Sequence, residues 1–218
     1  PDSLPAFDLL LQANDGSVRE VNHGHMGVAR EQIARKALHE ILELLRPDDM
    51  FNVFRFGSHF QSMFPSPVPA TAGNRKEAGN LLEVLDADMG GTEIGKAIQA
   101  AIKGCSRSKL SKEILLITDG EVWNWEEVTS RAAASGVRFF TVGVGNSVSE
   151  AFVQSLADAT GGACELISPL EDMADKIVRH FKRICFPRAN NVQILRPGSR
   201  EKIIPQQVHT VYDGDTLH

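Results

Sequence analysis

Cysteine is scarce in this chain: Cys105, Cys164 and Cys185 are the only three in 218 residues. They are too few and too widely spaced to form a disulfide framework or a zinc cluster. The reading that remains is of small core residues without chemistry, the usual place of a free cysteine. Dense blocks of Lys or Arg are also missing, and the net charge is −5. Nothing therefore supplies the basic footprint that binding to a phosphate backbone requires, which argues against a nucleic-acid partner. No apolar run approaches the roughly 20 residues of a membrane-crossing helix. The opening Pro1-Asp2-Ser3-Leu4-Pro5 lacks the basic-then-apolar order of a signal peptide. The expectation is a chain with no membrane-spanning segment that forms part of a longer protein. There is no phosphate-cradling P-loop and no Gly-x-Ser-x-Gly elbow, so the common sequence marks of nucleotide hydrolysis and of serine hydrolases are absent. Internal repeats and low-complexity tracts are absent too.

What is present is an alternation of short apolar runs with longer helical patterns, over a composition 42% hydrophobic and 23% charged. That composition suits a packed core, and the alternation predicts a mainly parallel sheet covered by helices on both faces. The clearest strands are 51–56, 113–118 and 137–142, with 7–13 as a fourth and 163–167 as a short fifth. Ile33, Ala34, Ala37, Leu38, Ile41, Leu42 and Leu45 recur at the spacing of one helical face, which predicts a helix over 30–45. Further helices are expected over 72–85, 94–103, 125–134, 150–159 and 170–184. Ser147 and Glu150 have the spacing of a capping box, in which each side chain satisfies a backbone donor at the helix start. After Pro187 the pattern turns strand-like around 191–195 and 208–212. The chain thus divides into an α/β domain over 1–186 and a β-rich extension, or the start of a following domain, over 187–218.

In open parallel sheets ligands bind beyond the carboxyl ends of the strands. Two strand-following or helix-preceding loops carry suitable chemistry. Asp119-Gly120 comes directly after the 113–118 run, and Gly90-Gly91-Thr92 comes directly before a helix. A carboxylate and a hydroxyl are hard oxygen donors of the kind that suit Mg²⁺. Each has a plainer role as well: Asp119 can close its own turn, and Thr92 can cap its helix. Trp123 and Trp125 lie just past Asp119 and could either face a protein partner or pack on the sheet. His59, His180 and His209 are isolated, and no function is assigned to them.

Gly90-Gly91-Thr92 and Leu115-Leu116-Ile117-Thr118-Asp119-Gly120, each leading into a helix, resemble two of the three loops of the metal-ion-dependent adhesion site in von Willebrand factor type A (vWA) domains. The tract Phe51–Gly57, then Phe64–Ala70 and Asn74, together with Val142-Gly143-Val144-Gly145 and the Tyr212-Asp213-Gly214-Asp215 tail, resembles more narrowly the inter-alpha-trypsin inhibitor heavy chain-like group. The resemblance implies a Rossmann-like fold, a divalent cation such as Mg²⁺ or Mn²⁺ held by Thr92 and Asp119, a protein partner, and an extracytoplasmic or secreted setting. It implies binding, not catalysis. The family's third loop reads Asp-x-Ser-x-Ser, and this chain departs from it. Counting back from the helix, Val21 stands for the aspartate and His23 and His25 stand for the serines. Counting forward from the 7–13 strand, the loop begins at Asn14-Asp15-Gly16-Ser17 and an insertion precedes the helix. Neither register restores the motif. The expectation is a degenerate site, or, in the histidine register, one suited to a borderline metal such as Zn²⁺. The alternatives are a metal-dependent hydrolase using Asp119 and an architectural domain that packs on the rest of its own chain.

Overall fold

The computed structural model describes residues 6–12, 24–57, 59–83, 94–105, 111–119, 122, 124–145, 148–168, 172–185, 188–193 and 207–212. Its main sheet contains β1 (Ala6–Gln12), β2 (Met50–Phe56), β3 (Phe60–Ser62), β4 (Val68–Pro69), β5 (Lys112–Thr118), β6 (Arg138–Val144) and β7 (Cys164–Ile167). The strand order is β3-β2-β1-β5-β6-β7, and β4 also pairs with β2. β1 lies between β2 and β5 and runs parallel to both, with Phe7 aligned to Phe51 on one side and Glu113 on the other. β5–β6 and β6–β7 are parallel as well. β5 and β6 are buried along almost their whole length, as a sheet covered on both faces demands.

The helices are α1 (Gly24–Leu44), α2 (Ala72–Glu83), α3 (Ile94–Cys105), α4 (Trp125–Ala134), α5 (Glu150–Thr160) and α6 (Met173–Cys185). Their apolar stripes divide the interior into two cores. On one face Leu38, Ile41 and Leu42 of α1, Ala78 and Leu82 of α2, and Ile177, Phe181 and Ile184 of α6 cover Leu115, Ile117, Phe140 and Val142. On the other, Ile94, Ala97, Ile98 and Ala101 of α3 meet Ile114, Leu116 and Phe139, together with Phe152, Val153 and Leu156 of α5. The i, i+3, i+4, i+7 spacing of the α3 set is what directs one helical face at the sheet. Gly161, with φ +72°, ends α5 by donating its N–H to the carbonyls of Ala157 and Asp158. A left-handed residue at a helix end favours glycine.

The sheet's β2 edge is closed by antiparallel pairing rather than by another crossover. Buried Asn52 organises that closure. Its amide nitrogen donates to Ser62 Oγ and to the Phe64 carbonyl, each at 3.0 Å. Its amide oxygen accepts from the backbone N–H of Phe64 at 3.1 Å and of Val53 at 2.8 Å. Short antiparallel segments of this kind blunt an otherwise open sheet edge. Beyond α6, β8 (Arg188–Gln193) and β9 (Gln207–Tyr212) form a separate antiparallel pair.

Three expectations change. α1 begins at Gly24 rather than residue 30, so its first turns reach back into the histidine segment. Glu150 is the first residue of α5 and Ser149 its N-cap, without a side-chain capping bond; Glu150 is thus not at the N3 position that a capping box led by Ser147 requires, and Ser147 lies outside the described residues. The cysteines are not uniformly buried: Cys164 is half-buried and Cys185 exposed, both as free thiols, while the Cys105 side chain lies outside the described residues.

Candidate functional site

The parallel core sends the carboxyl ends of β1, β5 and β6 to one edge of the sheet, at Gln12, Thr118 and Val144. Chain topology brings the starts of α1 and α4, which follow β1 and β5, to the same edge. α3, which runs back to the start of β5, begins there too. Helix starts offer unpaired backbone N–H groups and a partial positive charge, so anionic or metal-bound groups are favoured at such an edge.

Asp119 sits at the tip of β5, half-buried, immediately after Thr118, which is buried and aligned with Gly143 of β6. The continuous apolar run Ile114–Ile117 anchors the strand in both cores and fixes where that carboxylate emerges. Past Asp119, Val122 is buried in the α3 and α5 core. Asn124 adopts a left-handed conformation, φ 55°, as the N-cap of α4. Trp125 opens α4 and is partly buried against the same core. Exposed Glu126 and Glu127 follow in the first turn of α4, where the helix dipole favours carboxylates.

Thr92, His23 and Trp123 lie outside the described residues, and so does the His25 side chain, although His25 itself falls in the first turn of α1. Thr92 precedes the start of α3 at Ile94 by two positions in sequence. Among the described residues no three His, Cys, Asp or Glu side chains group in a way that could hold a metal ion. The structure uses Ala6–Gln12 as the central strand and starts α1 at Gly24, so residues 13–23 connect the two. That connection contains Asn14-Asp15-Gly16-Ser17 and ends at His23. The two ways of counting the first loop therefore meet in one segment: the forward count finds the strand, and the backward count finds the helix.

Residues 17–166 match the family model of the von Willebrand factor type A domain. The chain belongs to that family. Among curated proteins it is 30% identical over 193 residues to human von Willebrand factor A domain-containing protein 5A, an alignment covering 86% of this chain and 25% of the relative. It is 28% identical over 188 residues to a von Willebrand factor A domain-containing protein of Dictyostelium discoideum, covering 84% of this chain and 20% of that one. The vWA domain described here thus spans about a quarter or less of the length of these relatives. Among solved structures it superposes on a von Willebrand factor type A protein from Catenulispora acidiphila with a TM-score of 0.70 at 16% identity, over 87% of this chain and 44% of that one. It also superposes on proximal thread matrix protein 1 from the mussel byssus, solved with a zinc-occupied adhesion-site motif. There the TM-score is 0.60 at 14% identity, over 82% of this chain and 46% of the other. At such identities these structures establish the α/β vWA fold.

One pair of charged residues that the sequence reading did not single out lies at the opposite edge. Glu113, at the start of β5, is 1% exposed and pairs with Arg138 of β6, the residue aligned with it across the strands. Burial pushes the Glu113 carboxyl up to about 7, against the opposing pull of the Arg138 charge and hydrogen bond. A charged residue leading an otherwise apolar strand was the available signal. Its partner lies 25 positions away and becomes its neighbour only through the β5–β6 register.

Proposed function

We propose that this vWA domain is a protein-binding module, not an enzyme, and that it engages its partner through the loops at the carboxyl edge of the sheet. The observation that carries this reading is the placement of Asp119 at the tip of β5, where the chain leaves the sheet towards α4. We also assign the domain to the inter-alpha-trypsin inhibitor heavy chain-like group, on the Phe51–Gly57 and Phe64–Ala70 tracts. Its adhesion site is degenerate. A hard divalent cation takes six or more oxygen ligands, and the sequence after β1 lacks the full Asp-x-Ser-x-Ser set that would join Thr92 and Asp119. In one register Asp15 and Ser17 restore part of the spacing and Arg19 takes the last serine position; in the other Val21 takes the aspartate position and His23 and His25 those of the serines.

Thr92 and Asp119 would be the family-type ligands of a bound Mg²⁺ or Mn²⁺, whose chemistry is to take a further carboxylate from the partner. The donor set falls short of that role, and partner binding is therefore metal-independent at this edge. Calorimetric titration of the metal-stripped protein with Mg²⁺, Mn²⁺ and Zn²⁺ tests this directly, repeated on Asp119→Ala and Asp15→Ala. The expected result is no saturable binding of Mg²⁺ or Mn²⁺. Saturable Mg²⁺ uptake lost in either variant would replace this reading with a working cation site. Saturable Zn²⁺ uptake lost in a His23→Ala, His25→Ala protein would assign the site to a borderline metal.

A hydrolase using Asp119 receives less support, since the sequence carries neither a phosphate-cradling P-loop nor a Gly-x-Ser-x-Gly elbow. The architectural alternative draws on the separate β8–β9 pair. We read residues 187–218 as the start of a β-rich element that follows the vWA domain.

A further inference from the structure

The two flanks of the sheet are finished differently. β2 is closed by β3 and β4, whereas β7 pairs with β6 on one side and, among the described residues, with no strand on the other. The ladder fixes what that outer side offers. Thr141 donates its backbone N–H to the Ala163 carbonyl and Gly145 donates to that of Ile167, each at 2.9 Å, so residues 163, 165 and 167 turn their main chain to β6. The alternate residues, Cys164 and Leu166, turn theirs outward, since the N–H and C=O of one residue point to the same side of a strand. An outward row of this kind is a template for another strand unless lysine, proline or a bulge blunts it. β7 contains neither Lys nor Pro, its register with β6 is continuous, and Leu166 is 40% exposed on it.

Charge distinguishes the same flank independently. From Phe139 to Asp175 the chain contains six carboxylates, Glu150, Asp158, Glu165, Glu171, Asp172 and Asp175, and no Lys, Arg or His. Those that the structure describes border β7 on both faces. The last turn of α5, which holds Asp158, is tied to the entry of β7 by the Gly162 N–H on the Ala157 carbonyl at 3.0 Å. Leu166 and Val148 both rest over Gly143, where an added Cβ would meet them at 2.8 and 3.2 Å, and exposed Glu150 follows Val148 by two positions. On the other face the Lys176 ammonium meets Glu165 at 3.5 Å and ties the start of α6, with exposed Asp172 and Asp175, to the strand. Glu150 and Asp175 complement the helix starts they occupy, but Asp158 lies at the end of α5, where the helix dipole opposes a carboxylate. Gln154 donates to both of its oxygens, at 3.0 and 3.1 Å. Among the described residues no Lys or Arg pairs with Glu150, Asp158 or Asp175.

We propose that the outer edge of β7 is a docking strand for an extended, basic segment of a protein partner. The segment's main chain pairs with Cys164 and Leu166, and one of its apolar side chains covers Leu166. Its Lys or Arg residues face Glu150 and Asp158 on one side and Asp172 and Asp175 on the other. Main-chain pairing accepts any extended segment, so the acidic borders make the selection by charge. This surface lies on the flank of the sheet, two strands from the rim at Asp119, and does not depend on binding there.

A peptide of alternating Lys and Val, capped at both ends, is the probe, read by fluorescence anisotropy and by amide hydrogen exchange on the whole chain. Saturating peptide should slow exchange at the Cys164 and Leu166 amides by about tenfold or more, while the Glu165 and Ile167 amides, already turned to β6, hold constant. The same peptide fully N-methylated keeps its charges and loses its main-chain donors, and should bind at least about tenfold more weakly. A Glu-Val counterpart should not bind. Undiminished uptake of the N-methylated form, or unchanged exchange at Cys164 and Leu166, would overturn the docking strand; equal uptake of the Glu-Val peptide would overturn the selection by charge. Leu166→Lys sets a cation on the edge and should weaken binding of the Lys-Val peptide by about tenfold, and full binding by that variant counts against the proposal. Should Leu166→Lys fail to fold, the exchange measurement on the unaltered chain decides alone.

Discussion

β5 carries a carboxylate at each end, and the two live in different worlds. Glu113 is 1% exposed and paired across the sheet with Arg138. Asp119 is half-buried at the opposite tip, where the chain leaves the sheet and turns into α4. The same strand thus supplies a packed base and an accessible rim. A strand buried in two cores can hold a rim carboxylate in a fixed place without that carboxylate contributing to the core. The base cannot change without disturbing packing, whereas a rim residue beyond the buried run can change its chemistry without opening either core. Substitutions at the two ends should separate these roles.

The largest effects belong near the base. Phe140 is fully buried between the Arg138 guanidinium and the His180 ring. Phe140→Ala should cost about 3–5 kcal/mol by urea unfolding, the usual range for emptying an aromatic core position. Gly162→Ala should rank next. A Cβ there would stand 1.8 Å from the Phe139 carbonyl oxygen, so the entry to β7 must shift and strain the Thr141 N–H to Ala163 carbonyl bond of 2.9 Å. A loss of about 3 kcal/mol is expected, at the upper end of ordinary overpacking. Should Gly162→Ala prove neutral, the base would be looser than its geometry says.

A smaller effect carries a sign. The Glu113 carboxyl is raised from 4.5 to about 7 in the folded chain. A raised value means that the folded state binds the proton more tightly, so this contribution is complete below the unfolded value and is lost as pH rises through 7. From pH 6 to pH 8 the loss is about 1.4 kcal/mol. It should appear in the comparison with Glu113→Gln: as pH rises from 6 to 8, the urea midpoint of the unaltered chain should fall relative to that of the variant. His180 works the other way in this window: burial holds its ring down at about 3, with the Arg183 charge lowering it further, so only the unfolded chain takes up a proton there near pH 6, and stability gains about 0.8 kcal/mol from pH 6 to pH 8.

Much of the fold was legible because burial on both faces leaves long apolar runs. β5, β6 and the stripes of α1 and α3 announce themselves in this way. The short β3 and β4 strands were not legible: they contain three and two residues and exist because Asn52 pins the backbone at Phe64, a bond set by tertiary position. The start of α1 was hidden for a related reason. The periodic apolar stripe begins at Ile33, and nothing in it marks the turns before that. At the candidate site Asp119 was readable as a carboxylate between an apolar strand and a glycine. The Glu113–Arg138 pair depended on strand register and was not.

The smallest stability effect, and the most informative functional one, should come from Asp119→Ala. Asp119 lies beyond the last buried residue of β5, so its loss opens no cavity in either core. Substitutions away from core and caps typically stay within about 0.5 kcal/mol, and its partial burial allows up to about 1. If the rim is the binding surface, capture of the partner should weaken while the unfolding midpoint hardly moves, and the loss should be the same with and without EDTA. A large drop in stability would instead make Asp119 a structural clasp of its own turn, and the distinction between the two ends of β5 would collapse. Retained stability with EDTA-sensitive capture would keep the rim functional and return a cation to it. Measuring unfolding and capture on the same variant therefore separates a working surface from a structural one.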